Sequence, residues 1–421
     1  MTALASYEAV REACFQRIMA DGVLYEAAPD KRALVIQNVV GQYLYEMRAQ
    51  LTRQERERLV RELVQDILAY GPITPLLDDE RVTEIMVNGP SQVYVERDGR
   101  IELTDVRFRD DAHVRMVIDR IVAPLGRRVD EASPMVDARL PDGSRVNAII
   151  PPVSLVGPVI TIRRFVRRRL GAEELVRTGS LSRPMVEFLR TCVEGRRSVL
   201  VSGGTGSGKT TVLNMLSRFI PAEERIITIE DVAELQLQHP HWIRLETRPA
   251  NTEGKGEVTA RDLVRNALRM RPDRIILGEV RGAEAFEMIQ ALNTGHEGGM
   301  STLHANTAED ALVKLANYVR YAFDLPVAVI NAQIASAIDL VVHVHRFPDG
   351  RRRVVAVVEV LEASGEHIVT APIFEFRPDL DGGGRHVWTG HRPRVLEELR
   401  RRGLLRKAPE LEEKPLVEAA V

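Results

Sequence analysis

The chain has 421 residues, which is longer than one ordinary domain, so two or three domains are expected. Apolar residues make up 44% of the chain and charged residues 28%, as in a globular protein with enough apolar side chains for its cores. The formal net charge of −2 gives no global electrostatic reason to expect nucleic acid or an acidic membrane surface as a partner.

Neither the cysteines nor the apolar runs indicate export or a membrane span. Cys14 and Cys192 are the only cysteines, and two lone thiols fit a reducing cytoplasm. No apolar run approaches the ~20 residues that cross a bilayer, and residues 1–10 lack the basic start and apolar core of a signal peptide. We therefore expect a cytoplasmic protein, which could still work at a membrane by docking to it.

Residues 1–70 are expected to be helical from residue 6 onward, because their apolar side chains recur at helical spacing. The three apolar faces are Val10, Cys14, Ile18 and Met19, then Leu34, Val35, Val39, Tyr43, Leu44 and Met47, then Leu59, Leu63, Val64, Ile67 and Leu68. Three amphipathic helices make either a small bundle or a docking arm, and the sequence does not separate the two.

Residues 71–165 are predicted to form an α+β domain, which follows a break at Gly71-Pro72. A helix is expected over 110–125, and hairpin turns are expected at Asp98-Gly99 and at 141–143. The expected strands are Ile85–Val87, Val93–Val95, Met135–Leu140, Arg145–Ile150 and Val159–Phe165. A basic, weakly patterned stretch over 166–182 is predicted to be a linker.

Residues 183–360 alternate strand-like with helix-like segments. The expected strands are Ser198–Val201, Arg225–Ile229, Trp242–Glu246, Arg274–Leu277, Met300–His304 and Leu340–His345. Such alternation indicates a parallel sheet covered by helices. Residues 361–421 hold a few strand-like segments and a charged end, and we expect this extension to be partly mobile.

The most specific motif is a glycine-rich loop, Gly-Gly-Thr-Gly-Ser-Gly-Lys-Thr, at 203–210. It matches the Walker A pattern between a strand and a helix, in which glycines let backbone N–H groups surround phosphates. Lys209 can reach the β- and γ-phosphates, and the Thr210 hydroxyl can bind Mg²⁺. The predicted nucleotide-binding residues are Gly203, Gly204, Thr205, Gly206, Ser207, Gly208, Lys209, Thr210 and Thr211.

Two further strands end in acidic residues. The strand Arg274–Leu277 leads into Glu279, as in a Walker B motif, and an earlier strand ends in Glu230 and Asp231. The carboxyl ends of parallel strands meet at the edge of the sheet where nucleotides bind. A P-loop hydrolase needs such carboxylates to order its metal ion and the attacking water. Either Glu279 or Glu230 could orient the water, and the sequence does not choose between them.

Two histidines, His296 and His304, flank one predicted strand, and glycines lie beside the first of them. A histidine alone is more often a core or surface residue. Two of them around one strand, in a chain with this glycine loop, indicate a segment that senses the γ-phosphate.

These four segments resemble the Walker A, Asp box, Walker B and His box of the secretion-ATPase superfamily, which powers type II and type IV secretion and type IV pili. Longer strings at 76–90, 133–147 and 244–249 resemble the CpaF (TadA) ATPases of tight-adherence pili, and 258–282 completes the similarity. The similarity extends over about residues 70–350, whereas the sequence past 360 is not typical of the family.

The resemblance implies a RecA-like P-loop ATPase domain, preceded by an α+β (PAS-like) N-terminal domain and an N-terminal helical bundle. It further implies a homo-hexamer that uses ATP and Mg²⁺ at the cytoplasmic face of the inner membrane. Such a motor would drive assembly, and possibly retraction, of a tight-adherence pilus through inner-membrane platform proteins, with no direct contact to nucleic acid.

Three alternatives to that function stay open. The nearest is a type IV secretion ATPase that moves protein or DNA. A hexameric nucleic-acid translocase is disfavoured by the net charge and by the lack of an aromatic and basic stripe. A nucleotide-sensing regulator with little turnover is disfavoured by the full set of acids.

The resemblance also implies roles for individual residues. Mg²⁺ would be held by Thr210 and, through a water molecule, by Glu230. Four arginines of the N-terminal domain are candidates for contact with the γ-phosphate, with the linker 166–182 as the hinge. The implied catalytic residues are Glu279, Glu230, Asp231, His296, His304, Arg139, Arg145, Arg163 and Arg164.

Overall fold

A computed structural model describes residues 6–20, 22–165, 170–248, 250, 255–379, 383–405 and 407–412. Contacts divide the chain into a first unit, residues 1–167, and a second unit, residues 168–421. The start of the expected linker, 166–169, and the end of the expected extension, 413–421, lie outside the described residues. None of the helices in the described ranges combines the length and the apolar character needed to cross a bilayer.

The first unit begins with a helical bundle. Its helices are α1 (Tyr7–Ala20), α2 (Val23–Glu26), α3 (Arg32–Glu46) and α4 (Arg53–Leu68). Thr52 and Glu55 form a capping box, in which each side chain accepts a hydrogen bond from the other residue's backbone N–H, and this fixes the start of α4. The shared core of the bundle contains Val10, Cys14, Ile18, Leu24, Ile36, Val40, Leu44, Leu59 and Leu63. These residues therefore form a packed bundle and not an extended arm.

The buried face of α3 differs from the predicted one. Ile36, Val40 and Leu44 are buried, whereas Leu34 and Met47 are exposed. The three buried residues follow one another at intervals of four, which places them on a single helical stripe. The predicted face omitted Ile36 and Val40, whereas its members Val35, Val39 and Tyr43 are partly buried against the same core.

The rest of the first unit is an antiparallel sheet with helices. Its elements are α5 (Thr74–Asp78), β1 (Val82–Asn88), β2 (Val93–Arg97), β3 (Arg100–Leu103), α6 (Asp111–Val122), β4 (Met135–Arg139), β5 (Arg145–Ile149) and β6 (Val159–Arg163). In the described part of this unit, six strands pair in the order β3-β2-β1-β6-β5-β4. Val114, Val117 and Ile118 of α6 are buried in the core of the sheet. In this order β5 lies between β4 and β6 and pairs with both.

A buried polar cluster joins the bundle to the sheet within the first unit. Asp66 of α4 accepts a hydrogen bond from Arg11 of α1, and its Oδ1 lies 3.0 Å from His113 Nε2 of α6. Arg120 of α6 donates to the backbone carbonyls of Asp66 and Ala69. Buried polar groups need such partners, so the bundle and the sheet are fixed to each other.

The second unit alternates strands with helices. Its elements are α7 (Ala172–Arg177), α8 (Arg183–Glu194), β7 (Val199–Gly203), α9 (Lys209–Ser217), β8 (Ile226–Glu230), β9 (Trp242–Glu246), α10 (Ala260–Ala267), β10 (Arg274–Leu277), α11 (Glu284–Asn293), β11 (Met300–His304), α12 (Ala308–Ala322), α13 (Val327–Ala337), β12 (Leu340–Arg346), β13 (Arg352–Ser364), β14 (His367–Pro378), β15 (Gly384–Trp388) and α14 (Arg394–Arg401). Among the described residues, nine strands form one sheet in the order β15-β14-β13-β12-β7-β11-β10-β8-β9.

The six strands from β12 to β9 in this order are parallel to one another, which confirms the predicted parallel sheet. Apolar residues of α8 and α9 pack on one face of the sheet, and those of α10 to α13 pack on the other. Every residue of β7 and β8 is buried, as expected for central strands that are covered on both faces.

Two expected boundaries of the second unit differ from the structure. Leu175 and Leu181, in the expected linker, are buried in the core of the second unit, because this part of the chain forms α7 and packs its apolar side chains. At the other end, residue 360 lies inside β13, so the sheet runs through that boundary without a break. Val395 and Leu399 of α14 are buried as well, so this part of the expected extension is packed in place.

Candidate functional site

The glycine-rich loop joins β7 to α9 at the carboxyl edge of the second sheet. Gly206 and Gly208 have φ angles of +68° and +101°, in the left-handed region that favours glycine. A side chain at Gly203 would collide with the carbonyl oxygen of Val344 on β12. The three glycines therefore fix the shape of the loop, and its backbone can approach a ligand closely.

The predicted loop residues lie together around the start of α9. Gly204 and Thr205 are exposed, and Thr210 and Thr211 are half-buried in the first turn of the helix. Ser207 is buried, and within the described part of the chain its hydroxyl has no hydrogen-bond partner. An N-terminal helical turn leaves backbone N–H groups unpaired and has positive potential, which favours an anion.

Lys209 is held inside this loop. Its Nζ donates to the carbonyl oxygens of Gly203, at 3.1 Å, and Gly204, at 3.0 Å. The same ammonium lies 3.3 Å from Nδ1 of His304, at the end of the neighbouring strand β11. Lys209 is only 8% exposed. The positive charge therefore sits where phosphates would enter, and it contacts weak acceptors that an anion could replace.

His304 connects Lys209 to the Walker B acid. Nε2 of His304 lies 2.9 Å from Oε1 of Glu279. Burial, and next the charge of Lys209, lower the pKa of His304, against the opposing effect of Glu279. A histidine with a lowered pKa is neutral at pH 7. His304 is therefore a neutral contact between the loop and Glu279, whose buried Oε1 makes no hydrogen bond among the described residues.

Arg281 holds the second oxygen of Glu279, and this residue was not predicted from the sequence. Its Nη2 donates to Oε2 of Glu279 at 2.7 Å, and its Nη1 lies 3.9 Å from Oδ2 of Asp231. The signal available in the sequence was its position two residues after Glu279, close enough to reach the same carboxylate. Asp231, with a half-exposed side chain, thus joins the cluster through Arg281.

Glu230 occupies a different environment from Glu279. It is 5% exposed, and its Oε2 accepts hydrogen bonds from the backbone N–H groups of Glu234, at 2.7 Å, and Leu235, at 2.8 Å. Burial raises the pKa of Glu230, against those two backbone hydrogen bonds. Its Oε1 is buried and has no hydrogen-bond partner among the described residues. One oxygen therefore fixes the loop after β8, and the other is left to bind a polar group.

The structure does not bring His296 to this cluster. β11 separates the two histidines, and His304 pairs with Gly203 of the phosphate loop, whereas the opposite end of β11 pairs with Val199. Near His296, the carbonyl of Gly298 accepts a hydrogen bond from Arg274 at the start of β10. His296 thus lies at the amino edge of the sheet, away from the loop of the same chain.

Three of the four predicted arginines form one row on the sheet of the first unit. Arg139 of β4 pairs directly with Arg145 of β5, and Arg145 pairs directly with Arg163 of β6. Directly paired residues in an antiparallel sheet share a face, and like charges so placed repel. The adjacent residues Val146 and Ile162 lie on the other face, in the core. The row is therefore a concentration of positive charge, at one end of which Arg163 Nε lies 3.8 Å from Oε1 of Glu84.

Arg164 has a different role from its neighbour Arg163. Consecutive strand residues point to opposite faces, and Arg164 Nη1 donates to the carbonyls of Asp79 and Val82. These contacts join the end of β6 to the segment before β1. Arg164 is thus a structural residue of the first unit.

The residues present fit a magnesium nucleotide. The described residues contain no cluster of three or more His, Cys, Asp or Glu side chains that could hold a metal ion by themselves. Mg²⁺ in nucleotide sites is commonly held by one or two side chains together with phosphate oxygens and water. The hydroxyl of Thr210 and the unpartnered Oε1 of Glu230 are suitable donors. A side chain at Gly278 would come 2.8 Å from Cγ of Glu230, so this glycine leaves room for that carboxylate.

Comparison with known proteins relates this chain to secretion systems. The model of the family described as Type II/IV secretion system protein matches residues 67–370. A putative conjugal transfer protein of Mycobacterium tuberculosis is 37% identical over 312 residues, which are 73% of this chain and 88% of that protein. The type IV secretion system protein VirB11 of Brucella suis is 35% identical over 304 residues, 65% of this chain and 84% of that protein.

A solved structure is also similar. The crystal structure of the VirB11 ATPase from the Brucella suis type IV secretion system, in complex with sulphate, has 33% sequence identity and a TM-score of 0.37. The similarity covers 68% of this chain and 91% of that chain. The expected fold class, a RecA-like ATPase domain behind an α+β domain and helices, is confirmed. The tight-adherence pilus assignment is not confirmed, since the named relatives are conjugal transfer and type IV secretion proteins.

Proposed function

Because this chain belongs to the type II/IV secretion system protein family, we propose that it is an ATP hydrolase that drives a type IV secretion or conjugal transfer machine. The observation that carries the proposal is the contact chain from Lys209 through His304 to Glu279, at the edge of the glycine loop. It joins a phosphate-binding cation to a carboxylate within one cluster. ATP hydrolysis requires both groups at the γ-phosphate.

In this proposal, Lys209 leaves the carbonyls of Gly203 and Gly204 and donates to the β- and γ-phosphates. Glu279 orients the attacking water, because it lies beside the loop and contacts His304. His304 lies between Lys209 and Glu279, so its position would depend on both the bound phosphates and the carboxylate. When bound, Mg²⁺ would neutralise phosphate charge, with Thr210 and the free oxygen of Glu230 as its protein donors.

The arginine row of the first unit is proposed to bind the γ-phosphate when the two units close around the nucleotide. The support is the placement of Arg139, Arg145 and Arg163 side by side on one face of the sheet, which concentrates positive charge there. The predicted hinge over the whole of 166–182 is not part of this proposal, because Leu175 and Leu181 are buried in the core of the second unit. Arg164 is left out of this role, because its guanidinium holds backbone carbonyls.

Replacing a member of the row is expected to slow hydrolysis with little effect on ADP affinity. An arginine that reaches the transferred phosphoryl group contributes about 10³–10⁵ to kcat in other P-loop enzymes. Arg145→Ala should therefore lower kcat by at least ~10², as measured by phosphate release at saturating ATP. Arg128→Ala, at an exposed arginine outside the row, is the control. Equal kcat values for these two variants would contradict the role of the row.

The working assembly is proposed to be a homo-hexamer bound at the cytoplasmic face of the inner membrane. The support is the family membership together with the sequence strings shared with secretion ATPases. Mass measurement in solution with Mg²⁺ and ATP should give a species of six chains. A chain that stays monomeric under those conditions, while it hydrolyses ATP, would contradict the ring.

A second candidate function is that of a pilus motor, and three sequence segments favour it. Residues 76–90, 133–147 and 244–249 resemble the ATPases of tight-adherence pili, whose partners are inner-membrane pilus platform proteins. Cross-linking in the native cell, followed by mass spectrometry, separates the two. Capture of secretion-channel or conjugation proteins supports the first function. Capture of a platform protein or pilins supports the pilus motor and rejects secretion.

A further inference from the structure

The β12–β13 hairpin places two arginines against the phosphate loop. Arg346 ends β12 and Arg352 begins β13, and they are directly paired in the antiparallel register. Nε of Arg352 donates to the carbonyl oxygen of Gly206 at 2.9 Å. A Cβ on Gly206 would lie 3.3 Å from Nη1 of Arg346. Both guanidinium groups therefore border the turn of the loop, on the β12 side of β7.

The contact with the loop extends along the side chain of Arg352. A Cβ on Gly208 would lie 3.5 Å from Cδ of Arg352. Gly206 and Gly208 are the loop residues with left-handed φ angles. Arg352 thus packs over two of the three glycines that fix the shape of the loop, and its hydrogen bond holds the carbonyl of one of them.

The two arginines concentrate positive charge beside the phosphate loop. Like charges directly opposite each other in an antiparallel pair are destabilising. Lys209 and the N-terminus of α9 add positive potential at the same place. Guanidinium groups bind phosphate oxygens through two parallel N–H donors, which gives direction as well as charge. A polyphosphate in the loop would stabilise all of these groups at once.

We propose that the β12–β13 hairpin is a further arm of the nucleotide site, in which Arg346 binds a nucleotide phosphate and Arg352 is a positioning residue for the phosphate loop. The inference rests on the proposed function, because it assumes that the loop binds a nucleotide. Arg351 is the natural comparison. It lies next to Arg352 in sequence, but it pairs with Asp349 within the hairpin turn at 3.0 Å.

The test compares Arg346→Ala, Arg352→Ala and Arg352→Lys with Arg351→Ala. Affinity is measured with fluorescent ADP and Mg²⁺, and thermal stabilisation is measured with tripolyphosphate and Mg²⁺. We expect Arg346→Ala and Arg352→Ala to weaken ADP binding about tenfold, as for loss of one charge-assisted hydrogen bond, and to reduce stabilisation by tripolyphosphate. Arg352→Lys should recover part of the loss, because an ammonium can still donate to Gly206. Arg351→Ala should bind as the unchanged protein does.

Tripolyphosphate separates a phosphate-binding role from a merely structural one. A structural defect would lower the melting temperature without ligand, but it would leave the ligand-induced shift of the folded protein unchanged. The inference is overturned if Arg346→Ala binds ADP and tripolyphosphate as tightly as Arg351→Ala does. If Arg352→Ala does not fold, Arg346→Ala and Arg352→Lys still decide the matter. Failure of the unchanged protein to bind any nucleotide would instead reject the proposed function.

Discussion

Lys209→Ala is expected to lower ATP hydrolysis by about 10²–10³-fold, the cost of losing one preorganised donor to a charge that develops in the transition state. The ammonium of Lys209 lies within the loop, where it contacts the carbonyls of Gly203 and Gly204 and the ring of His304. Alanine removes the positive charge without adding bulk. The measurement is phosphate release at saturating ATP with Mg²⁺.

Lys314→Ala is a matched control for the loss of one lysine charge from the same unit. Lys314 lies on α12, where its Nζ pairs with Asp310 at 3.3 Å, and its charge is the smallest of the causes that lower the pKa of His304. An exposed pair of this kind contributes at most about 1 kcal/mol, so turnover should not change. Unchanged turnover in Lys209→Ala, with the fold verified by thermal unfolding, would mean that hydrolysis takes place elsewhere.

Glu279→Gln is expected to stop turnover while nucleotide affinity is retained. Glutamine keeps the size of the side chain but removes the negative charge that attracts the protons of the attacking water. A positioned general base contributes about 10²–10⁴ to the rate, so a loss in this range is expected in single-turnover experiments. Binding of fluorescent ATP should stay within about twofold, since a water-orienting acid has no bond to the phosphates in the ground state.

Glu230→Gln tests whether Glu230, and not Glu279, orients the attacking water, and it is measured in the same single-turnover and binding experiments. In the proposed arrangement Glu230 assists Mg²⁺, so its replacement should raise the Mg²⁺ concentration that supports half-maximal activity. Glutamine can still accept the backbone hydrogen bonds from Glu234 and Leu235, which keeps the loop after β8 in place. If Glu230→Gln alone abolishes turnover and Glu279→Gln does not, the two acids have the opposite roles.

Much of the second unit could be predicted from local patterns. Short apolar strands that end at glycines or acids, separated by helix-like segments, are enough to predict a parallel sheet with its loops at one edge. The Walker A loop, Glu279, Glu230 and His304 all follow such strands, and the structure brings them to that edge. Local pattern and tertiary position agree there, because the carboxyl ends of parallel strands coincide.

His296 and Arg164 show where stricter use of strand geometry would have improved the predictions. Residues at the two ends of a five-residue strand are separated by more than about 13 Å, at about 3.3 Å per residue. Two histidines that flank one strand therefore cannot both reach a loop at one of its ends. Adjacent strand residues face opposite sides of the sheet, which separates Arg163 from Arg164.

Other features depend on pairings that a single sequence does not contain. The row formed by Arg139, Arg145 and Arg163 exists because β4, β5 and β6 pair in one register. Likewise, Arg352 meets Gly206 because β12 lies beside β7 and β13 folds back along β12. The sequence predicted a few strand-like segments after residue 360, but it did not predict which sheet they join.

The continuous sheet beyond residue 360 determines where the second unit can be cut. The family match ends at residue 370, inside β14, whereas the packed structure continues to α14. Buried Glu359 accepts hydrogen bonds from the backbone of Val395 and from His391, and Arg197 is shared between Asp339 and Glu398. Removal of the chain after 370 would leave Arg197 with Asp339 alone and would take His391 and Val395 away from buried Glu359, and a buried charge that loses its partners is strongly destabilising. We therefore expect the shortest stable fragment of the second unit to extend to about residue 401, the end of α14, beyond the family match that ends at residue 370.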